Sequence, residues 1–468
     1  MKVQKIFFVV ILLLFSFLTQ SQHLQISENR RFLIREDSTP FFWLGDTAWE
    51  LFHKLDNNEV ERYFRNRAAK GFNVIQAVLL GEINGLTEPN ANGDIPLINL
   101  DPARPNEKYF AYVDRIIRLA ESYGLYMAIL PTWGSHVEDK PHVLFENLHV
   151  FTPENAAIYG EFLGKRYKDQ WNIIWILGGD RPPTGHEAIW NAMADGLQKG
   201  EAGKHLISYH PMGGMTSSEW FHTADWLDFN MLQSGHARLF NNNYDMIAHD
   251  YALNPPKPVI DGEPNYEELP SGFQEFNQRF TDVDVRRAAY WAIFAGAFGH
   301  TYGHNAIWQM AVPEKPSYVW TQVSWQEALD FPGSFQLIHL KRLMLSRPFL
   351  TRIPDQNLLL DGPGMMTEHQ QATRDGTPGN NDATYIMVYS PVFRNIRVNT
   401  SVIAGERLRI WWYDPRIGLA YPLGEFENTG EYSPGGNERI WEGMGGPDWV
   451  LVIDDAAQNY PPPGEKFP

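Results

Sequence analysis

Two carboxylic acids stand directly after short apolar segments of the chain, where a buried strand would end. Asp180 closes the segment IIWILGGD, and Glu263 follows the segment PVIDG, 83 residues further along. A retaining glycosidase holds two carboxyl groups about 5–5.5 Å apart, one as acid/base and the other as nucleophile. An ionised neighbour raises the pKa of the second carboxyl group and keeps it protonated near neutral pH. The pair therefore predicts glycoside hydrolysis, although either acid could instead anchor a loop or pair with Arg181.

Further polar and aromatic residues follow the other apolar segments, and we predict that they bind substrate. Aromatic rings stack on the apolar faces of sugars, while carboxylate, amide and imidazole groups bind the hydroxyls. A guanidinium or an imidazole would pair with the carboxylate of an acidic sugar. The predicted substrate-binding residues are Asp46, Trp133, His136, Arg181, His210, Gln233, His304 and Trp308. The alternative for the tryptophans is a cap on the core, and the alternative for Asp46 is a cap on the turn at Thr47.

The histidines of this set do not have the spacing of metal ligands. No H-E-x-x-H or comparable motif occurs, and the chain has no cysteine. We therefore expect neither a metal nor a cofactor. A G-x-S-x-G motif is also absent, so a serine hydrolase of the α/β-hydrolase type is not expected.

These residues belong to a region in which short apolar segments alternate with amphipathic ones. Eight strand candidates occupy residues 41–45, 73–80, 126–130, 173–177, 206–209, 229–232, 258–260 and 300–303. Helical patterns occupy residues 57–70, 108–123, 153–168, 188–199 and 282–298, the last with Asp282 as its expected N-cap. The alternation predicts an α/β fold, a (β/α)8 TIM barrel with its active site at the C-terminal ends of the strands. A doubly wound sheet is the alternative, but the glycine-rich phosphate loop after its first strand is missing.

The pattern changes after residue 349. Short alternating runs at 384–389, 408–413 and 449–453 are separated by segments rich in Gly, Pro, Asn and Asp, as in an all-β sandwich. We therefore expect a signal peptide over residues 1–21 and a catalytic barrel over residues 22–349. A β-sandwich accessory domain over residues 350–468 should pack against the barrel.

The N-terminal segment has the three parts of a secretory signal peptide. Lys2 and Lys5 precede an apolar run over residues 6–18, and the small residues Thr19 and Ser21 fit a cleavage site. The run is shorter than the ~20 residues that cross a bilayer. Without cysteine the N-terminus cannot be lipid-modified, so we expect a periplasmic or secreted protein with no stable membrane anchor.

Charge and composition narrow the choice of partners. The 468-residue chain carries a net charge of −17, which argues against nucleic acid and against an anionic membrane surface. The 16 Trp, 20 Tyr and 28 Phe suit a protein that binds carbohydrate, although most aromatic residues fill cores.

Several segments together resemble the apiosidase-like glycoside hydrolases, glycoside hydrolase family 140. They are RFLIREDSTPFFWLGDTAWELF, GFNVIQAVLL, NIIWILGGDRP, PVIDGEPNYE and GHTYGHNAIWQM, followed by WWYDPRIG and DWVLVIDD. The resemblance implies an exported barrel enzyme with a β-sandwich similar to a module named as collagen-binding. It also implies an endo-apiosidase that detaches β-linked apiose side chains from the galacturonan backbone of the pectin rhamnogalacturonan II. In that family pattern Asp180 is the acid/base and Glu263 the nucleophile.

Two alternatives to this function stay open. The first is a barrel glycosidase that acts on another plant glycan, such as an arabinofuranoside. The second is a non-catalytic glycan-binding protein that keeps the barrel as a scaffold. The expected partner in the main hypothesis is a pectic oligosaccharide.

Overall fold

The computed structural model describes residues 23–138, 148–312, 317–435 and 447–466. The predicted signal peptide over residues 1–21 lies outside the described residues. A small antiparallel sheet formed by Leu24–Ile26, Leu33–Arg35 and Pro40–Phe41 comes first. Phe41 packs edge-on against Tyr126, with ring centroids 5.0 Å apart, so this sheet covers the end at which the barrel strands begin.

Eight parallel strands form the barrel. They are β1 Trp43–Thr47, β2 Val74–Val78, β3 Tyr126–Leu130, β4 Ile173–Gly178, β5 Ile207–His210, β6 Asn230–Gln233, β7 Val259–Asp261 and β8 Gly299–Tyr302. Strands β1 to β5 pair in sequence order, and β1 also pairs with β8, which continues through β7 to β6. Between β5 and β6 the Ser208 hydroxyl donates to the Phe229 carbonyl at 2.6 Å, and the short strand Met215–Thr216 pairs antiparallel with β6. All eight strands lie within about two residues of the predicted positions, and the TIM barrel is confirmed.

The strands read as continuous apolar runs because both of their faces are buried. In β3, Ala128 and Leu130 belong to the cluster at the centre of the barrel. Met127 and Ile129 belong to the cluster beneath the outer helices. Successive side chains of a strand point to opposite faces, so each strand contributes to both layers of core.

Seven longer helices surround the strands in the described part of the chain. They are α1 Asn57–Ala69, α2 Glu107–Ser122, α3 Pro153–Tyr167, α4 Glu187–Glu201, α5 Asn243–Tyr251, α6 Asp282–Phe294 and α7 Pro332–Leu345. Short helices occupy Leu51–Lys54, Ser218–Phe221, Asn305–Trp308 and Trp325–Ala328. The sequence predicts α1 to α4 and α6, but neither α5 nor α7. The expected N-cap at Asp282 is wrong: Thr281 caps α6, and its N–H donates to the Asp284 carboxylate at 2.8 Å.

Glycines bring α3 and α4, which flank β4 in the sequence, into backbone contact. A Cβ atom on Gly164 would lie 2.4 Å from the carbonyl oxygen of Leu197, and one on Gly196 would lie 2.3 Å from that of Ala157. No larger residue fits these positions without separating the helices. The packing holds the helix pair tightly against the strand that leads to Asp180.

The C-terminal domain is an antiparallel sheet. Its strands are β9 Ile353–Pro354, β10 Gln371–Arg374, β11 Tyr385–Ser390, β12 Arg407–Asp414, β13 Leu419–Glu427 and β14 Trp449–Asp455. They are ordered β9-β10-β11-β14-β12-β13, and a second layer consists of Val398–Asn399 paired with Glu431–Tyr432. The predicted all-β domain is confirmed, and the described part of its second layer has two short strands. The sequence predicts β11, β12 and β14 and misses the other three strands of the main sheet.

One face of the main sheet packs on the barrel. Tyr385, Met387 and Tyr389 of β11 belong to the same apolar cluster as the barrel interior. Ile386 and Val388 face the cluster shared with the two-stranded layer. Both faces of β11 are therefore buried, which explains why this strand is apolar along its whole length.

Two buried ion pairs cross the contact between sheet and barrel. Arg286 of α6 binds Asp448 through hydrogen bonds of 2.7 and 2.8 Å. Arg347 binds Asp454 of β14 through two hydrogen bonds of 2.8 Å. All four side chains are at most 2% exposed. Since a buried charge without its partner is costly, these pairs set the position of the sheet on the barrel.

Candidate active site

A cavity of about 580 Å³ opens at the C-terminal ends of the barrel strands. Its described lining residues are Trp49, Glu82, Trp133, Asp180, His236, Glu263, Tyr266, Leu269, Pro270, Phe273, Glu275, Trp308, Tyr318, Val319 and Trp320. Carboxyl groups and aromatic rings dominate this lining, and no lysine or arginine is among these residues. Such a wall suits a polar, uncharged ligand with apolar faces.

The backbone after β4 presents Asp180 to the cavity. Gly178, Gly179 and Asp180 have φ values of +88°, +121° and +52°, in the region that favours glycine. A Cβ atom on Gly179 would lie 2.7 Å from the Trp133 ring, so this position requires glycine. The positive φ of a non-glycine residue is strained, and such strain is concentrated at functional sites.

Glu263 follows β7, is 6% exposed and contacts two imidazoles. Nε2 of His210 lies 2.9 Å from Oε2 of Glu263, and Nε2 of His236 lies 2.9 Å from Oε1. The backbone N–H of Asp180 donates to Nδ1 of His210 at 3.4 Å. Because Nδ1 accepts this hydrogen bond, His210 carries its proton on Nε2, facing the Glu263 carboxylate.

The surroundings give the two carboxyl groups opposite protonation tendencies. Enclosure by the cavity wall and the charge of Glu263 raise the pKa of Asp180. Its carboxyl group remains 36% exposed towards the cavity. Burial alone would raise the pKa of Glu263, but His210 and His236 outweigh burial and lower this pKa to about 2. The site therefore combines one carboxyl group whose pKa is raised with one whose pKa is lowered, as an acid/base and a nucleophile require.

Three of the four tryptophans in the described lining of the cavity have a buried indole N–H group. The rings of Trp49 and Trp133 pack with centroids 5.3 Å apart, and Trp308 lines another part of the wall. The indole N–H of each is buried and has no hydrogen-bond partner among the described residues. An unpaired buried donor costs about 1–3 kcal/mol. A polyhydroxylated ligand would supply acceptor oxygens while its C–H groups contact the rings.

The predicted sugar-binding residue Asp46 lies away from the described lining of the cavity. It is fully buried at the end of β1, where Arg67 Nε of α1 pairs with its carboxylate at 2.6 Å. The hydroxyl of Tyr63, also on α1, donates to the same oxygen at 2.5 Å. The structure therefore joins Asp46 to the helix layer, and we do not retain it as a sugar ligand.

His136 and His304 are also buried outside the described lining. Nδ1 of His136 lies 2.9 Å from the Thr132 hydroxyl, and burial lowers the pKa of His136 to about 4. Nδ1 of His304 accepts from the N–H of Ala306 at 3.0 Å and caps the short helix that ends at Trp308. Their partners indicate that they shape the loops after β3 and β8 and do not contact a ligand.

Three further predicted residues stand behind the carboxyl pair. Arg181 Nη1 lies 3.5 Å from Asp180 Oδ2, and its Nε lies 3.3 Å from Glu138 Oε2. The side chain of Gln233 lies close to Asp180 and opposes the rise in its pKa. His210 orients Glu263 as described above. These residues can tune the pair, whereas Trp133 and Trp308 can contact a ligand directly.

The prediction omitted several residues that line the cavity, above all Glu82, Tyr266, Tyr318 and Trp320. Glu82 follows β2 as Asp180 follows β4, and the rule applied to the other strand ends would have found it. The other three belong to the long loops after β7 and β8. These loops have no periodic pattern that indicates which side chains turn inwards.

A (β/α)8 barrel with two carboxyl groups of opposite pKa shift at the ends of β4 and β7 has the architecture of a glycoside hydrolase. Residues 27–351 match the family model described as "Apiosidase-like, catalytic domain", and the chain belongs to this family of glycoside hydrolases. Residues 353–454 match the model described as "Putative collagen-binding domain of a collagenase". The resemblance to the apiosidase-like enzymes is confirmed, and the assignment to family 140 stays a prediction.

Two solved structures are similar to nearly the whole chain. A glycoside hydrolase family 5 crystal structure from Bacteroides vulgatus ATCC 8482 shares 34% sequence identity and has a TM-score of 0.85, with 94% of each chain covered. A structure described as a glycoside hydrolase shares 36% identity and has a TM-score of 0.83, covering 93% of this chain and 98% of its own. No curated protein matches the sequence. In the described part of the chain, no helix has the length and apolar character to cross a membrane.

Proposed function

We propose that the protein is a retaining glycoside hydrolase with Asp180 as acid/base and Glu263 as nucleophile. The opposite pKa shifts of these two carboxyl groups within one cavity carry the proposal. A retaining mechanism needs a proton donor and an ionised nucleophile on the same substrate at the same pH. A protein that only bound glycans would have no need for this difference in protonation.

The first step cleaves the glycosidic bond. Asp180 gives its proton to the leaving-group oxygen while Glu263 attacks the anomeric carbon, which yields the free aglycone and a glycosyl ester on Glu263. In the second step Asp180, now ionised, takes a proton from water, and the resulting hydroxide displaces Glu263 from the sugar. His210 and His236 stabilise the Glu263 carboxylate before attack and after its release.

The proposed substrate is β-linked apiose in a side chain of the pectin rhamnogalacturonan II, cleaved in the manner of an endo-apiosidase. The match to the apiosidase-like family supports the sugar. The described part of the lining contains no lysine or arginine, which supports an uncharged sugar in the cavity, as apiose is. We also retain the proposals that the chain is exported and that its galacturonan-linked substrate is a pectic oligosaccharide.

The test compares the parent protein with Asp180→Ala and Glu263→Ala on rhamnogalacturonan II oligosaccharides, an aryl β-apioside and an aryl α-L-arabinofuranoside. Each variant should lose about 10²–10⁴-fold in kcat on its natural substrate. Azide should restore turnover of the aryl glycoside by Asp180→Ala with retained configuration, and proton NMR reads the anomer. Near-parental activity of both variants would refute the assignment of the pair. Turnover of the arabinofuranoside alone would support the alternative glycan, and binding without turnover would support a glycan-binding protein.

A further inference from the structure

A third carboxyl group lines the cavity beside the proposed catalytic pair. Glu82 lies in the loop after β2, is 7% exposed and belongs to the cavity wall. Its carboxyl group has no hydrogen bond or ion pair with any residue in the described part of the chain. A buried carboxyl group that only stabilised the fold would have such a partner, because its desolvation is otherwise uncompensated.

The loop around Glu82 is held in place independently of its side chain. The N–H of Ile83 donates to Oε1 of Glu50 at 3.2 Å, and Oε2 of Glu50 pairs with His53 at 2.9 Å. The loop is also tight, since a Cβ atom on Gly85 would lie 2.6 Å from the backbone nitrogen of residue 81. The fold therefore positions Glu82 at the cavity through backbone and neighbouring contacts, with no hydrogen bond from its own carboxyl group to the part of the chain that the structure describes.

The charges that face Glu82 are mostly negative. Asp180, Glu50 and Glu263 surround it, and Arg181 is the cation that opposes them. Burial, and then the charge of Asp180, raise the pKa of Glu82 well above its ordinary range. Tyr318, which also faces Glu82, is neutral because burial raises its pKa as well. The raised pKa favours the protonated form of Glu82, whose O–H group can donate a hydrogen bond.

We propose that Glu82 is a substrate-binding residue that donates a hydrogen bond from its carboxyl group to a hydroxyl of the sugar in the cavity. The proposal rests on the proposed function of the site, and it adds that Glu82 helps the site to select an uncharged sugar. The sugar compensates the desolvated carboxyl group, and Glu82 adds no negative charge next to Asp180. A uronic acid in this position would instead face four carboxyl groups of the lining.

The kinetic test uses Glu82→Ala, Glu82→Gln and the matched control Glu88→Gln, which makes the same change at an exposed glutamate of the same loop region. Whichever aryl glycoside the parent hydrolyses serves as substrate. Glu82→Ala should lower kcat/KM about 10- to 100-fold, as expected for the loss of one buried hydrogen bond. Glu82→Gln keeps a neutral donor, so its kcat/KM should stay within about tenfold of the parent value. The alkaline limb of its pH profile should lie at the same pH as in the parent. The melting temperature of Glu82→Ala should not fall, because no contact of the carboxyl group is lost.

Two kinetic results would overturn the proposal. One is a kcat/KM of Glu82→Ala equal to that of the parent. The other is an alkaline limb that moves to lower pH in Glu82→Gln, which would mean that Glu82 is ionised in the parent. A lower melting temperature with unchanged KM would assign Glu82 a structural role instead.

A second measurement does not depend on turnover. In protein labelled with ¹³C at the glutamate carboxyl carbons, a resonance that reports a protonated acid at pH 7 should vanish in Glu82→Gln and shift when D-apiose is added, whereas the resonance of Glu267, whose pKa is raised to about 7, should remain in the variant. Absence of a protonated resonance that vanishes in Glu82→Gln, or no shift at saturating sugar, would overturn the proposal. If the parent hydrolyses no glycoside, the proposed function fails while this experiment still decides the role of Glu82.

Discussion

The dependence of activity on the two imidazoles beside Glu263 leads to a quantitative prediction. Replacing His236 by Phe removes the hydrogen bond of 2.9 Å to Oε1 but keeps a ring against Tyr266, whose centroid lies 4.3 Å away. His210 still contacts the other oxygen at 2.9 Å. The substitution therefore removes about half of the interaction that stabilises the Glu263 carboxylate and leaves the burial of that group unchanged.

The magnitude follows from the pKa of Glu263, which is lowered from 4.5 to about 2. This net shift is worth about 3 kcal/mol at 1.36 kcal/mol for each pKa unit, and because burial opposes it, the two imidazoles together lower the pKa by more than the net shift. The pKa of Glu263 in His236→Phe should accordingly rise by about one unit or more. Because Glu263 must be ionised to attack, activity is lost as pH falls through this pKa. The acid limb of kcat/KM should therefore move to higher pH by about one unit.

The assay is the pH profile of kcat/KM between about pH 2.5 and 8 on an aryl glycoside with a good leaving group, which needs little help from Asp180. His249→Phe is the control, since His249 is an exposed imidazole on α5. An acid limb in His236→Phe within about 0.3 pH units of the parent would refute the reasoning. A similar shift in His249→Phe would point to a general charge effect and would refute it as well.

Three other predictions concern stability and the backbone. Asp180→Asn should raise the melting temperature at pH 7 but not at pH 3, as calorimetry at the two pH values can show. The raised pKa of Asp180 in the folded state means that the parent loses stability as pH rises through that pKa. Gly179→Ala should lower kcat/KM by about 10²-fold in steady-state kinetics, because φ is +121° and the added methyl group would meet an indole ring at 2.7 Å. Arg347→Ala should lower the free energy of unfolding in urea by about 3–5 kcal/mol, since it leaves Asp454 buried without a partner. Arg397→Ala, which breaks an exposed pair, should cost less than about 1 kcal/mol.

Specific outcomes would contradict each of these expectations. An equal change in melting temperature at both pH values would show that Asp180 does not hold a proton more tightly in the folded state. Parental kinetics of Gly179→Ala would mean that the loop after β4 can relax without moving the acid. Equal losses in the two arginine variants would mean that burial does not govern the energy of these ion pairs.

The sequence predicts the scaffold well because its signals are local. A strand buried on both faces must be apolar throughout, and β4 shows this in residues 173–178. An outer helix needs one apolar face, and α2 repeats its buried residues accordingly. The sequence does not predict α7, because this helix packs against both the barrel and the C-terminal sheet. It therefore has few exposed polar residues to alternate with its buried ones at the helical period.

The acids at the strand ends show what local sequence patterns cannot predict, which is the surroundings of a side chain in the folded protein. Asp46 lies near the end of β1 and Asp180 lies directly after β4, so both are acids at the end of an apolar strand. Asp46 is neutralised by Arg67 of the next helix, 21 residues along the chain. Asp180 projects into the cavity beside Glu263, which comes from a strand further round the barrel.

The sequence by itself determined the number and order of the barrel strands, the β-rich C-terminal domain and the two acids proposed for catalysis. Only the tertiary structure decided which polar residues at the strand ends line the cavity, that two imidazoles contact Glu263, and that the Glu82 carboxyl group has no partner among the described residues. The reason is physical. The burial of a strand or helix is visible in the types of residues that are neighbours in the sequence. The protonation and the partners of a side chain depend instead on groups that folding brings together from distant parts of the chain.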